Sequence, residues 1–261
     1  MRDLSGAIGY KDVALAVALV AVGAAVSRFR RLDLERDMVV ATVRSFVQLL
    51  AVGYVLAFVF DGHGALSGAL LAVMIGVAAL TAGGRARRVP GARVVAGVAL
   101  AAATLGTLGV LTALGIVPVD ARTIVPLGSM VLSNAMASAS LVMTGLRDDL
   151  AANRREVEAR LSLGHTSHQA SLPWHRRALR TGMLPIVDNT KVVGLVALPG
   201  AMTGMILAGA EPLEAIRLQL VVMYMLLGGN AFAAVVAGEL TVRRLFTADH
   251  QLVRSLRRAV Q

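Results

Sequence analysis

Apolar runs close to the length of a bilayer-crossing helix recur along this chain, separated by short polar stretches and by one long one. Seven such segments, at about 8–27, 39–60, 65–83, 94–116, 123–146, 187–209 and 216–241, each approach the roughly 20 residues that a helix needs to cross the hydrocarbon core. The pattern predicts an all-α, polytopic membrane protein of about seven transmembrane helices, organised as one transmembrane domain over residues 1–261.

The long polar stretch, 147–182, predicts a helix–turn–helix protrusion. In its first part Leu146, Leu150, Val157 and Leu161 fall on one helical face, while Arg154/Glu158 and Glu156/Arg160 stand four residues apart on the solvated side. That helix is expected to stop near Gly164. Thr166-Ser167-His168-Gln169 then has the spacing of a capping box, in which a hydroxyl and an amide satisfy the free N–H groups of a new helix start. Pro173 is expected to interrupt the second helix or confine it to a turn, and a further basic helix with Arg176, Arg177 and Arg180 leads back to the membrane.

Composition supports the membrane reading. At 56% hydrophobic residues and a mean hydropathy of +0.70, 261 residues carry more apolar surface than one globular core buries. The net charge of +10 would point to nucleic acid in a soluble protein. Here the basic residues stand in clusters between apolar runs, which is a topology signal and excludes a nucleic-acid partner. Arg28/Arg30/Arg31/Arg36, Arg85/Arg87/Arg88/Arg93, the run from Arg147 to Arg180, and that from Arg243 to Arg258 fall on alternate loops, and the opposite side has only Arg2, Lys11, Arg122 and Arg217. The positive-inside bias puts the amino terminus outside and the carboxyl terminus and the protrusion in the cytoplasm. The first apolar run precedes its positive charges, the reverse of a secretory signal, and reads as a retained helix. External loops such as 61–64 are short. The absence of cysteine excludes disulfides, thiolate zinc sites and cysteine-ligated clusters.

Polar residues inside apolar segments are the candidates for function. Arg44 and Gln48, one turn apart in the second segment, either snorkel and hydrogen-bond a neighbouring helix or line the inner mouth of a pathway. Ser133-Asn134-Ala135-Met136-Ala137-Ser138 brings hydroxyls and an amide into the fifth segment, where such groups hold helices together. The Asn134 carbonyl beside the Met136 thioether also suits contact with a passing cation. Asp188 and Lys191, three residues apart, either neutralise one another or serve a pathway. Gly200-x-x-x-Gly204, after Pro199, offers a small face for a helix–helix contact, at a symmetric dimer interface, with Pro199 as a kink. Methionines 130, 136, 143, 202, 205, 223 and 225 read as adaptable packing, though soft sulfur suits Cu(I) and, less well, iron. The five histidines fall in loops or polar regions without an intramembrane cluster, so no metal ligand set is identified. No phosphate loop and no hydrolase motif is present, which points to a conduit rather than an enzyme.

Arg44-x-x-x-Gln48-Leu49 with Gly53-Tyr54-Val55-Leu56, then Asn134-Ala135-Met136, Leu161-Ser162-Leu163-Gly164, the run Pro185-x-Val187-Asp188-x-x-Lys191-x-Val193-Gly194-Leu195-Val196-x-Leu198-Pro199-Gly200-x-Met202-x-Gly204, and His250-Gln251-Leu252 together resemble the FetB-type permeases. These are iron-export ABC permeases of bacteria with plant relatives linked to aluminium tolerance. The resemblance covers nearly the whole chain, and the block from Pro185 to Gly209 is its most specific part. It implies a permease subunit, two copies of which work with two copies of a separate ATP-binding protein. That partner would hold the ATP, and this chain would bind no cofactor. Glu158-Ala159 followed by Gly164 resembles the start of an ABC coupling motif, so Glu158, Ala159, Gly164, Thr166 and Gln169 are the expected ATPase-coupling residues. Arg44, Gln48, Asn134, Met136, Asp188 and Lys191 are the expected pathway or transmission residues, and Gly194, Pro199, Gly200 and Gly204 the expected helix-packing residues. The chain departs from the family's pattern at Ser133 and Pro173 and in the Leu-Pro spacing after the coupling glycine.

The reading is a multi-pass permease of the cell membrane that exports a metal ion, iron, with a separate ATPase. A proton- or sodium-driven secondary transporter and a non-transporting membrane scaffold are its alternatives. The first would rest on Asp188 as its titratable carboxylate and would show internal repeats, of which there is no sign.

Overall fold

A computed structural model of the chain describes residues 10–60, 64–196, 198–253 and 256. Arg2, the loop residues 61–63, and Arg254, Arg257 and Arg258 of the last basic cluster lie outside the described residues. Every regular element described is helical: α1 (Tyr10–Arg30), α2 (Glu35–Phe60), α3 (Gly64–Arg85), α4 (Ala92–Ala113), α5 (Ala121–Ala152), α6 (Arg154–Ser162), α7 (Ser167–Val192), α8 (Gly200–Leu207) and α9 (Pro212–Leu245). Among the described residues, α2, Leu66–Arg85 of α3, α4, α5 and α9 are long and apolar enough to cross a membrane. The protein is all-α and polytopic. The first predicted segment is carried by the 21 residues of α1.

The sixth predicted segment, 187–209, is not one helix. Its first residues belong to α7, which begins far back in the polar stretch and ends at Val193, an extended residue followed by Gly194 at φ 84. A left-handed glycine directly after the last turn is a helix terminator, because it bends the chain away at no Cβ cost. Gly194 therefore stops α7 rather than packing it against a neighbour. Pro199 is likewise no kink: it stands at the start of α8, which holds only Gly200–Leu207. Among the described residues nothing lies within 4 Å of a Cβ built on Gly194, Gly200 or Gly204, so the small face they were expected to use is open there.

Pro173 does not interrupt α7, which runs unbroken through both Pro173 and Pro185. A proline inside a helix strips one carbonyl of its partner, and the cost is small where that carbonyl meets water. Pro173 is exposed, as is Gln169 one turn earlier. The single expected helix around 146–161 is instead two, parted at Asn153, while its buried face is as expected: Leu146, Leu150 and Val157 are fully buried and Leu161 packs beside them.

The chain divides into two compact units, residues 1–63 with 200–215, and residues 64–199 with 216–261. In the first, α1 packs on α2 through a tight turn in which the buried Ser27 hydroxyl accepts the Leu34 N–H at 3.2 Å. In the second, α3, α4 and α5 pack on one another, α7 packs on α5 and α6 on α7. Its larger core joins Leu100 and Ala103 of α4, Val131, Ala135 and Met143 of α5, and Val222, Leu226, Ala233 and Ala237 of α9. The abundance of alanine brings helices close where surrounding lipid supplies no hydrophobic drive and contact must do the work. Met143, Met223 and Met225 are buried, so these methionines are core side chains.

A second core lies under the protrusion, where Leu146, Leu150, Val157, Ala170, Trp174, Leu245, Phe246, Leu252 and Leu256 come together from four stretches of chain. These side chains leave water on folding, and each large one contributes about 1.5–3 kcal/mol by doing so. The protrusion is thus a packed body, held to the end of α9.

At Gly182 of α7 a Cβ would overlap Val142 Cγ2 and lie 3.0 Å from Ser138 O on α5, whereas nothing stands within 4 Å of one on Gly145. Gly182→Val is expected to destabilise the detergent-solubilised protein by about 1–3 kcal/mol, the usual range for overpacking, while Gly145→Ala leaves it unchanged or slightly firmer. Thermal unfolding of the two variants beside the wild type reads the difference.

Candidate functional site

The expected coupling residues come together at the tip of the protrusion. Glu158 is half-buried and pairs with Arg154 at 2.8 Å, and Arg160 pairs with Glu156 at 2.8 Å, both across one turn of α6 as the spacing predicted. The guanidinium of Arg160 also lies 5.3 Å from the centre of the Trp174 ring, tying α6 to α7. Ala159 is exposed. Gly164, at φ 88, reverses the chain between the two helices, a conformation that L side chains rarely adopt. The capping box is formed: Thr166 Oγ1 accepts the Gln169 N–H at 3.3 Å and Gln169 Oε1 accepts the Thr166 N–H at 3.0 Å. Leu163 stands on this turn with 79% of its surface exposed, unsupported by any core.

The chain after α9 clasps this hairpin. Phe246 and Leu252 form an isolated bridge, and Thr247 donates its N–H to Gln251 O at 2.7 Å. His250, held at φ 53, accepts the Ser167 N–H on its Nδ1 at 3.2 Å, and the Ser167 hydroxyl lies 2.7 Å from the same atom. The ring thereby satisfies a free N–H in the first turn of α7, and the His250-Gln251-Leu252 stretch has a structural task.

Within the second unit, Ser138 of α5 lies 2.8 Å from Gly182 O on α7 and 2.6 Å from Asn230 Oδ1 on α9. One hydroxyl proton serves these two acceptors, and Asn230 donates its own amide to Leu226 O at 2.8 Å. Both side chains are buried. Asn134, one turn before Ser138, donates to Met130 O of its own helix at 2.9 Å and is half-buried, and Met136 packs against the larger core. Asp188 and Lys191 form an ion pair of 3.0 Å on the last turns of α7, each more than half exposed. Arg44 and Gln48 are exposed on α2 of the first unit.

Two features escaped the sequence reading. Asn230 stands alone in an apolar helix with nothing adjacent to mark it. The other is a group of three: His168 and His175 on α7 and Glu239 on α9, with one ligand-type atom of each within 4.8 Å of the others. His168 Nε2 is 3.3 Å from Glu239 Oε1 and His175 Nδ1 is 3.9 Å from the same oxygen, the two rings meeting edge to face at 5.9 Å. Two histidines seven residues apart share a helix face, a local signal, but their partner is 64 positions beyond and only the fold supplies it. His175 is buried, and its removal from water holds the imidazole below its ordinary value of 6.5, opposed by the Glu239 carboxylate and reinforced by His168.

Comparison with known proteins agrees with this architecture. A family model described as "Uncharacterised protein family (UPF0014)" matches residues 10–246. The chain is 42% identical to the UPF0014 membrane protein STAR2 of Oryza sativa subsp. japonica, over 94% of this chain and 86% of the relative. It is 40% identical to the Protein ALUMINUM SENSITIVE 3 of Arabidopsis thaliana, over 94% and 90%. It is 34% identical to the probable iron export permease protein FetB of Escherichia coli (strain K12), over 93% and 94%. No solved structure matches the chain.

A pair that exists to neutralise itself has a signature in a mutant cycle. Asp188→Asn and Lys191→Met are each expected to lower the thermal midpoint slightly, because each removes a 3.0 Å ion pair between exposed groups, worth about 0.2–1 kcal/mol. The double variant is expected to lose no more than either single one. A double variant as impaired as the sum of the two would mean that the charges act separately.

Proposed function

The chain belongs to the UPF0014 family, and from that premise we propose that it is the permease subunit of an ABC transporter that exports a metal ion, iron, from the cell. A separate ATP-binding subunit supplies the energy, and this chain holds no nucleotide of its own. The observation that carries the reading is the hairpin of α6 and α7: a packed body with an exposed apolar tip at Leu163, continuous through α7 with the polar residues Ser138, Asn230, Asp188 and Lys191. Such a body suits a groove on a partner that changes shape with ATP, and α7 then carries the motion inward. The named iron-export relative supports the substrate.

The transporter lies in the cell membrane with its amino terminus outside and its hairpin and carboxyl terminus in the cytoplasm, on the strength of the basic clusters that flank the hairpin. Two copies form the pathway, and the open face at Gly200 and Gly204 suits contact between them. Access alternates between the two sides as the dimer passes between two states. Arg44, Gln48, Asn134 and Met136 are the polar and soft groups at hand for the passing ion. Asp188 answers poorly to a proton-driven alternative, since Lys191 already balances its charge.

Reconstitution with a candidate ATPase tests the proposal. The two proteins are expected to copurify and to move iron out of the compartment facing the hairpin only while ATP is hydrolysed. Leu163→Asp is expected to weaken the complex by at least about 2 kcal/mol, roughly thirtyfold, as loss of an interface hot spot does. The thermal midpoint of the permease alone should stay where it was. Absence of both copurification and ATP-dependent flux rejects the reading.

A further inference from the structure

Of His168, His175 and Glu239, His168 and Glu239 make an ordinary polar contact between α7 and α9, at 3.3 Å, and His175 does not join it. The 3.9 Å between His175 Nδ1 and Glu239 Oε1 is beyond hydrogen-bonding reach, and His175 Nε2, on the other side of the ring, is buried without any partner. The ring is nonetheless seated with care. A Cβ at position 238 would lie 2.5 Å from His175 Nε2, so Gly238 of α9 is the residue that lets the imidazole in and turns its Nδ1 toward Glu239.

An ion shared by the three groups would give His175 Nδ1, which lies out of hydrogen-bonding reach of Glu239, a partner. Two ligands bonded at about 2.0–2.1 Å to one metal stand roughly 3–3.5 Å apart. The separation of 3.3 Å between His168 and Glu239 already matches, and that of 3.9 Å between His175 and Glu239 closes with a small side-chain rotation. His168 and Glu239 also line a cleft of about 380 Å³, together with Thr166, Ser167, Thr247 and His250, which leaves a path for the ion and room for water at a remaining coordination position. Two imidazoles and one carboxylate suit zinc, iron(II), cobalt and nickel. They offer too little oxygen for calcium or magnesium and no soft sulfur for Cu(I).

We infer that His168, His175 and Glu239 form a binding site for one divalent first-row transition-metal ion, bridging α7 and α9 at the root of the hairpin. Bound there, the ion fastens the two helices whose relation the hairpin core also governs. The inference stands whatever the permease carries, because it concerns the hairpin's seat and not the route across the membrane.

The chain's single tryptophan, Trp174, adjoins His175 and is itself buried, so it reports on the site. The full chain, purified in detergent on a tag without histidine and freed of metal, is titrated with Co²⁺ while Trp174 emission and dialysis stoichiometry are followed. One Co²⁺ per chain is expected, with saturable quenching. His168→Ala and Glu239→Gln, both at partly exposed positions, are expected to keep the metal-free emission and elution profile of the wild type. Each should weaken binding by more than the roughly tenfold that losing an outer-shell partner costs. His165→Ala, on the turn outside the group, should bind as the wild type does. A wild-type chain that takes up no stoichiometric Co²⁺, or His168→Ala and Glu239→Gln chains that bind it unimpaired, would overturn the inference.

Discussion

The hydroxyl of Ser138 carries the contact on which the placement of α7 depends. It reaches one carbonyl of α7 and one amide oxygen of α9 from the middle of α5, in a core where water is not at hand to take its place. Such contacts in a membrane are worth about 0.6–2 kcal/mol each, modest in energy but narrow in geometry. Gly182 makes the approach possible by having no side chain, and Asn230 is anchored in turn to the backbone of its own helix. The rotation and height of α7 are therefore set at this level, and everything α7 carries at its two ends inherits them.

Those ends obey different physics. At the polar end, Val157, Trp174, Leu245 and Leu252 gather because water drives them together, and the capping box, the Arg160–Trp174 contact and the His250 clasp fix the result. At the other end α7 closes with the Asp188–Lys191 pair and stops at Gly194. Between them runs one helix of 26 residues. Force applied to the hairpin tip meets no break in α7 before the Ser138 level, because even Pro173 leaves the helix continuous. A partner bound at Leu163 would thus act on α5 and α9 through the same polar contact.

Much of this was legible because it is local. The capping box is read within four residues, the ion pairs of α6 within one turn, and the spans from runs of apolar residues. Punctuation was misjudged where two signals competed. Hydropathy joined 187–209 into one segment, although Gly194 and Pro199 both break it, and Pro173 was given the force it has in a buried helix when its position is exposed. The open faces of Gly200 and Gly204 show the limit of a spacing rule, since a small stripe states what can approach and not what does. Asn230, Glu239 and the pairing of His175 with Gly238 were out of reach for a plainer reason. Each depends on which helices become neighbours, which the core of Val131, Val222, Ala233 and their companions decides.

Motion of the hairpin and the inner part of α7 as one rod is the central claim, and a distance within the chain tests it. The sequence has no cysteine, so spin labels can be placed singly at Ser162 on the hairpin and at the exposed Leu184 on α7. Pulsed electron paramagnetic resonance then reads their separation in the complex with the proposed ATP-binding subunit, with and without bound ATP. A distance distribution that keeps its position and width between the two states is the expected result. A shift or broadening on ATP binding would show that the hairpin bends away from α7, and would contradict the account.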